Sequence, residues 1–255
     1  MKSFGVISRQ DIEVLFEENN GLGIRFILPS KNILPAHIDY LKSTQRNTVI
    51  GIGEEFLCLI EHFLGAAALL AVDNINLVLN DLELPFGDGS AAIWQEALWA
   101  YAKDINNLPR IDINEIIIVE DGDRFIELRP SDKFQISYKL SMPNTIVGEQ
   151  VFHWELGDDI STLLKARTFA STEENKIMGL QEIVLGYDNN GYSQKLHFEN
   201  EASAHKALDL IGDLMLAGIN PIRLNAHIIS YKGGHELNSK MTNKLNEFYK
   251  NNKIN

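Results

Sequence analysis

Two kinds of periodicity alternate along this chain, pause at "NNLPRID" (106–112), and then begin again. In the first half "DIEVLFEENNGLGIRFIL" (11–28) predicts a hairpin about Asn19-Asn20-Gly21, a sequence suited to positive φ. "EFLCLIEHFLGAAALLAV" (55–72) predicts a mostly buried helix, and "INLVLND" (75–81) a strand. The turn "LPFGDG" (84–89) leads into a helix from about Ser90, its N-cap, to Ile105. The second half opens with the hairpin "EIIIVEDGDRFIELRP" (115–130), turning at Asp121-Gly122, and the strand "KFQISYKLSM" (133–142). A short helix "GDDISTLLKA" (157–166), a third hairpin "QEIVLGYDNNGYSQKLHF" (181–198), and a helix containing "HKALDLIGDL" (205–214) follow. The strand "RLNAHIISYK" (223–232) and a terminal helix from about His235 to Tyr249 complete the chain. Hairpins mixed with helices in each half predict an α+β protein of two similar layers, domain I at 1–107 and domain II at 108–255. No residue-level repeat links them.

At 255 residues the chain has enough apolar side chains for one large core or two ordinary ones. Its longest apolar run, "FLGAAALLAV" (63–72), falls well short of the roughly 20 residues of a membrane span, so no transmembrane segment is expected. The N-terminus lacks a signal peptide's long apolar core. A lone Cys58 excludes an internal disulfide and fits a reducing compartment; a cytoplasmic location is expected. The formal charge of −12 argues against nucleic-acid partners, which need a basic face, but leaves room for an anionic small molecule held by a few Lys or Arg.

The run at 205–214 poses the chemical question. At about 100° per residue His205, Asp209 and Asp213 fall within roughly 80° of one another, with Lys206 alongside and leucines, alanine and isoleucine on the other side. A histidine and an aspartate four apart on a helix can reach one metal ion, but alone the pair reads first as a helix salt bridge or surface pair, and two ligands are too few. His62 stands in an apolar helix next to Glu61: either a core histidine satisfied by a carbonyl, or a third ligand beside a non-ligating base, the adjacency used in H-E-x-x-H. That motif itself is absent, since "HELNS" at 235 has Ser239 where the second histidine belongs. His235 opens the last helix and reads as a cap, or as an imidazole that a helix N-terminus keeps from protonating unless a carboxylate such as Asp213 compensates. "GDGSAA" (87–92) is not a nucleophile elbow, no G-x-G-x-x-G or P-loop occurs, and Cys58 reads as packing.

Several segments in order resemble one family, the UDP-3-O-acyl-N-acetylglucosamine deacetylases of lipid A biosynthesis. "IEHFLGAAALLAVDNINLVLNDLELPFGDGSA" (60–91) resembles that family's Glu-His helix, following strand and D-G-S-A turn. "KARTFA" (165–170) is similar to the stretch bearing its catalytic threonine, and "HKALDLIGDL" with "SYKGGHELN" (230–238) to its ligand helix and S-G-H segment. "TQRNT" (44–48), "VEDGDRF" (119–125) and "VGEQ" (147–150) are fainter echoes. The resemblance implies a two-domain sandwich with helices packed between the sheets of the two halves, and a zinc-dependent N-deacetylase acting on a UDP-linked N-acetylglucosamine. It implies His62, His205 and Asp209 as zinc ligands, Glu61 as general base, and His235 as general acid oriented by Asp213. Thr168 would assist at the oxyanion; Lys206, Phe169 and Lys232 would contact substrate. The chain also departs from the family: "VISRQD" replaces a G-L-H-S/T-G segment, Leu59-Ile60 stands where Thr-Val usually precedes Glu-His, and "SMPN" (141–144) lies where an H-P pair is usual. The stretch from Thr168 to His205 is short and lacks the glycine-rich strand of the β-α-β-β insert that, in the family, builds an apolar passage for the acyl chain. Its shortness implies loss of that passage, and keeps open a paralogue acting on an unacylated or different amino sugar, or a non-catalytic binding protein.

Overall fold

A computed structural model describes residues 1–254. The chain runs β1 (Lys2–Phe4), β2 (Asp11–Glu18), β3 (Ile24–Ile27), β4 (Ile33–Pro35), β5 (Leu41–Ser43), β6 (Val49–Ile52), β7 (Glu55–Leu57), α1 (Glu61–Leu69), β8 (Ile75–Leu79) and α2 (Ala92–Leu98). It continues β9 (Ile111–Asp112), β10 (Ile117–Asp121), β11 (Arg124–Pro130), β12 (Gln135–Met142), β13 (Gly148–Glu155), α3 (Ser161–Leu164) and β14 (Phe169–Ser171). The last part is α4 (Thr172–Met178), β15 (Leu185–Asp188), β16 (Gly191–Tyr192), α5 (Glu201–Met215), β17 (Leu224–Tyr231) and α6 (His235–Asn251). One sheet has the order β1-β2-β8-β3-β4; the other is β10-β11-β17-β12-β13, with β9 added to β17. Two small sheets, β5-β6-β7 and β14-β15-β16, flank them.

The fold is α+β, with α1 and α5 between the large sheets. Phe63 of α1 meets Phe26 of β3 edge-on at 5.9 Å, while Ser203 of α5 donates to the Tyr138 carbonyl of β12 at 2.7 Å. Every residue of α1 is buried, as an apolar-all-round helix requires. In α5 only Lys206 escapes burial, so the stripe of His205, Asp209 and Asp213 is enclosed along with the leucines.

Glycines set the crossing of these helices. A Cβ on Gly212 would lie 2.1 Å from the Glu61 carbonyl oxygen and 3.0 Å from the Gly65 nitrogen; one on Gly65 would lie 2.8 Å from Leu208 Cδ1. Alanine ordinarily stabilises a helix interior by about 1 kcal/mol over glycine. Here backbone meets backbone, and overpacking of about 1–3 kcal/mol or more outweighs that gain. Gly212→Ala is therefore expected to lower the urea midpoint, and Gly65→Ala, which meets mainly a leucine side chain, to lower it less; an unchanged midpoint for Gly212→Ala would show that the helices can separate freely.

Four expectations are corrected. The 11–28 segment is not a hairpin: β8 lies between β2 and β3, antiparallel to the first (Val14↔Leu79) and parallel to the second (Ile24↔Ile75). β8 alternates buried and half-buried side chains and takes the centre of the sheet, with a partner on each edge. The helix expected over 55–72 is β7, then a break, then α1; Leu59 at φ 61, a costly value for a residue with a Cβ, ends the strand just before Ile60. The helix from Ser90 is shorter than its pattern: α2 ends at Leu98, and after one 3₁₀ turn the chain returns so that Lys103 N–H reaches the Leu70 carbonyl at 3.0 Å. The 181–198 hairpin contracts to β15 and β16, preceded by a strand and helix that the periodicity missed. That helix, α4, carries a readable capping box, Ser171 with Glu174, and a left-handed Gly179 at its end. A compact β-α-β-β order is thus present between Phe169 and Tyr192.

The 106–112 connection is docked: β9 joins β17, and Arg110 donates to the carbonyls of Ile222 and Leu224 at 2.8 and 3.0 Å. Among the described residues no helix is long and apolar enough to cross a membrane.

Candidate metal centre

The crossing of α1 and α5 places His62, on the first turn of α1, against the middle of α5. Ligand-capable atoms of His62, His205 and Asp209 all lie within 4.8 Å of one another, and all three residues are buried. His62 Nε2 is 3.6 Å from Asp209 Oδ1, and His205 Nε2 is 3.5 Å from Asp209 Oδ2. His205 Nδ1 faces the Ala166 carbonyl at 3.3 Å, which holds the proton on that nitrogen and leaves Nε2 a lone pair. Burial lowers the basicity of both imidazoles, His205 to about 3, so both are neutral, as metal ligands must be. Burial disfavours an ionised Asp209, but the positive charges of Lys206 and His235 around it hold its carboxyl well below the usual range.

Asp209 Oδ1 is buried and has no hydrogen-bond partner among the described residues. A buried, unpartnered carboxylate oxygen beside an imidazole nitrogen is costly unless a cation lies near it. Two imidazoles and one carboxylate are an ordinary zinc donor set with room for a further ligand, so the residues fit a zinc ion.

Glu61 and His235 flank this cluster. Glu61 is 4 % exposed; burial pushes its carboxyl up to about 7, with His235 opposing and Asp209 adding to the rise. His235 opens α6, and its Nδ1 lies 2.8 Å from Asp213 Oδ2. Burial works against its charge, yet Asp213 overcomes that and raises it to about 9. Lys206 donates to Asp209 Oδ2 at 2.8 Å and lies 5.9 Å from the centroid of the Phe169 ring.

Thr168 is held by the D-G-S-A turn. Its N–H and hydroxyl both donate to the Gly89 carbonyl, at 2.7 and 2.9 Å, and its Oγ lies 3.5 Å from His62 Nε2. Gly89 sits at φ +85, a left-handed conformation that glycine adopts without strain. From the other side Arg167 forks onto Glu201 at 2.7 and 3.0 Å, a buried bidentate pair that fixes the start of this strand. Lys232 stands apart from the other expected contacts: its ammonium bonds Asp123 at 2.5 Å beside the Tyr231 ring.

Sequence reasoning missed Thr48 and Asn238. Thr48 N–H donates to Glu61 Oε2 at 3.1 Å, and its hydroxyl to Asp213 Oδ1 at 2.5 Å; Asn238 Nδ2 donates to Asp213 Oδ2 at 2.8 Å. "TQRNT" pointed at the first only as a segment. The second lies one helical turn after His235 and has no chemical signature of its own.

A cavity of about 480 Å³ opens from the cluster. Its polar end holds Glu61, His62, Thr168, Lys206 and His235; Val6, Phe86, Leu140, Leu180 and Val184 line an apolar remainder. Phe169, Ala170, Met178 and Tyr187 of the compact β-α-β-β segment also line it, so this segment, although short, contributes to the cavity wall.

Comparison with known proteins identifies the family. The chain is 34% identical over 248 residues to the UDP-3-O-acyl-N-acetylglucosamine deacetylase of Aquifex aeolicus, covering 91% of this chain and 84% of the relative. It is 31% identical over 241 residues to that of a Nostoc species (87% and 85% covered) and 30% over 226 residues to that of a Sulfurovum species (83% and 76% covered). The model of the family described as LpxC, UDP-3-O-acyl N-acetylglycosamine deacetylase, matches residues 1–247, and the chain belongs to that family.

Proposed function

We propose that this chain is a zinc-dependent, cytoplasmic hydrolase that removes acetyl from the 2-acetamido group of a UDP-linked N-acetylglucosamine bearing a 3-O-acyl chain, a step of lipid A biosynthesis. The observation carrying the reading is the buried His62–His205–Asp209 cluster with an unpartnered carboxylate oxygen, opening into a largely apolar cavity. His62, His205 and Asp209 would hold the ion. Zinc bound there supplies Lewis acidity, which lowers the pKa of water toward neutrality and polarises a carbonyl.

The remaining chemistry belongs to side chains. Glu61, with a carboxyl near 7, accepts a proton as water adds to the acetamide carbon. His235, protonated at neutral pH, gives its Nε2 proton to the departing amine, and Asp213 offsets the imidazolium charge. The carbon–nitrogen bond breaks, leaving acetate and a free amine. The Thr168 hydroxyl, turning from the Gly89 carbonyl, donates to the developing oxyanion. The Lys206 ammonium and the Phe169 ring form one wall against the nucleotide sugar. Lys232 would contact the nucleotide side only by leaving Asp123.

The apolar lining supports an acylated substrate over an unacylated one. Each buried methylene contributes about 0.8 kcal/mol, so four of them are expected to raise kcat/KM on acylated over unacylated UDP-N-acetylglucosamine by about two-hundredfold. Side-by-side deacetylation assays decide this, and equal turnover of both would discard the acyl specificity.

A pH profile tests the proton-transfer roles. Glu61 must be ionised and His235 protonated, so kcat/KM, which reports the free enzyme, is expected to rise through a limb at or below about 7 and fall through one at or below about 9, a cation nearby lowering both. Asp213→Asn removes the charge that holds His235 protonated and is expected to move the alkaline limb to lower pH. An unmoved limb would free His235 from that role.

A further inference from the structure

We propose that Thr48 is a positioning residue for proton transfer, its hydroxyl locking Asp213 and thereby the ring of His235 while its backbone N–H locks Glu61. The inference rests on the deacetylase reading for its kinetic consequence and on geometry for the rest. Thr48 is 2 % exposed at the edge of β6, and among the described residues it alone hydrogen-bonds both Glu61 and Asp213. Glu61 comes from α1, Asp213 from α5 and His235 from α6, so one residue, through its backbone N–H and its hydroxyl together, ties together three helices.

Each donor and acceptor has one consistent assignment. An ionised Asp213 only accepts. Its Oδ2 takes the His235 Nδ1 proton at 2.8 Å and an Asn238 amide proton at 2.8 Å; its Oδ1 takes the single Thr48 hydroxyl proton at 2.5 Å. The Thr48 oxygen then turns a lone pair toward His235 Nδ1, 3.2 Å away, so that proton faces two acceptors. The imidazole ring is held in the orientation whose Nε2 points at the cluster, 3.8 Å from Asp209 Oδ2. Without the hydroxyl, Asp213 Oδ1 becomes a buried acceptor without its donor, and the carboxylate rotates to recover one. Because the backbone N–H to Glu61 survives any side-chain change, the substitution isolates the Asp213–His235 branch.

Thr48→Val keeps shape and loses the hydroxyl; Thr48→Ser keeps the hydroxyl and loses a methyl. With zinc-loaded protein, Thr48→Val is expected to lower kcat about 10- to 100-fold, the range for removing a residue that orients a functional group, with KM within about twofold and zinc content unchanged. Thr48→Ser is expected to stay within about threefold of wild type. A packing role predicts the reverse order. The second readout needs no turnover: the sheltered Nδ1 proton of His235, identified by its loss in His235→Gln, is expected as a slowly exchanging imidazole resonance in wild type and Thr48→Ser and absent or shifted in Thr48→Val. An unchanged resonance in Thr48→Val overturns the proposal, as does an equal kcat loss in both variants. If Thr48→Val does not fold, Thr48→Ala takes its place. Failure of the wild type to deacetylate the nucleotide sugar would refute the functional reading and leave the resonance to decide the role of Thr48.

Discussion

His62→Ala is expected to leave purification with less than a tenth of the wild-type zinc and no measurable deacetylation. Three protein donors are the usual minimum for a zinc site that keeps a position open, and α5 alone supplies two. The pair His205 and Asp209, four residues apart on one helix, cannot close the coordination without the imidazole brought by α1. Loss of the ion also changes stability. A ligand present at about a thousand times its dissociation constant stabilises the fold by about 4 kcal/mol, so a chelator is expected to lower the Tm of wild type markedly. The same chelator should leave His62→Ala almost unmoved, since that variant has no ion to lose. Metal analysis by mass spectrometry and paired melting curves check both halves. Equal zinc content in variant and wild type, or equal shifts with chelator, would remove His62 from the ligand set.

Glu61→Gln is expected to reduce kcat by about 10²–10⁴-fold while zinc content stays at the wild-type level. The carboxamide matches the carboxylate in size and can still accept the Thr48 N–H at the Oε2 position, so the crossing of α1 and α5 is retained. What disappears is proton affinity: burial places the Glu61 carboxyl at about 7, where it accepts and releases a proton readily, and an amide cannot. The contrast between the two variants separates the roles. One loses metal and activity together; the other keeps metal and loses activity. A Glu61→Gln protein with near wild-type turnover would mean that another group takes the proton, and His235 would be the first to test.

Much of this arrangement was legible before any coordinates. The 205–214 run has helical period with one polar stripe, and intrahelical geometry fixes how near His205, Asp209 and Asp213 stand once the helix forms. The hairpin at Asp121-Gly122 forms with the register Asp121↔Arg124, because its turn residues and flanking alternation are local signals. The 11–28 segment misled for the opposite reason. Its two strands and intervening glycines read as a hairpin, but nothing local reveals that β8, far along the chain, takes the place between them. The start of α1 was likewise hidden, since apolar residues continue through Leu57 and Leu59 and only the backbone at Leu59 turns over. Family resemblance supplied what periodicity did not, the pairing of the Glu-His helix with the second ligand helix. It did not supply Thr48 or Asn238 as partners of Asp213.

By itself the sequence determined which side chains could do chemistry and which helix faces they occupy, because donor type and 3.6-residue periodicity are properties of short segments. Only the tertiary structure decided that His62 meets His205 and Asp209, that Thr48 bonds Glu61 and Asp213 at once, and that an apolar cavity adjoins them. Those outcomes depend on how closely α1 and α5 approach, a distance set by Gly65 and Gly212, residues with no side chain to announce a role.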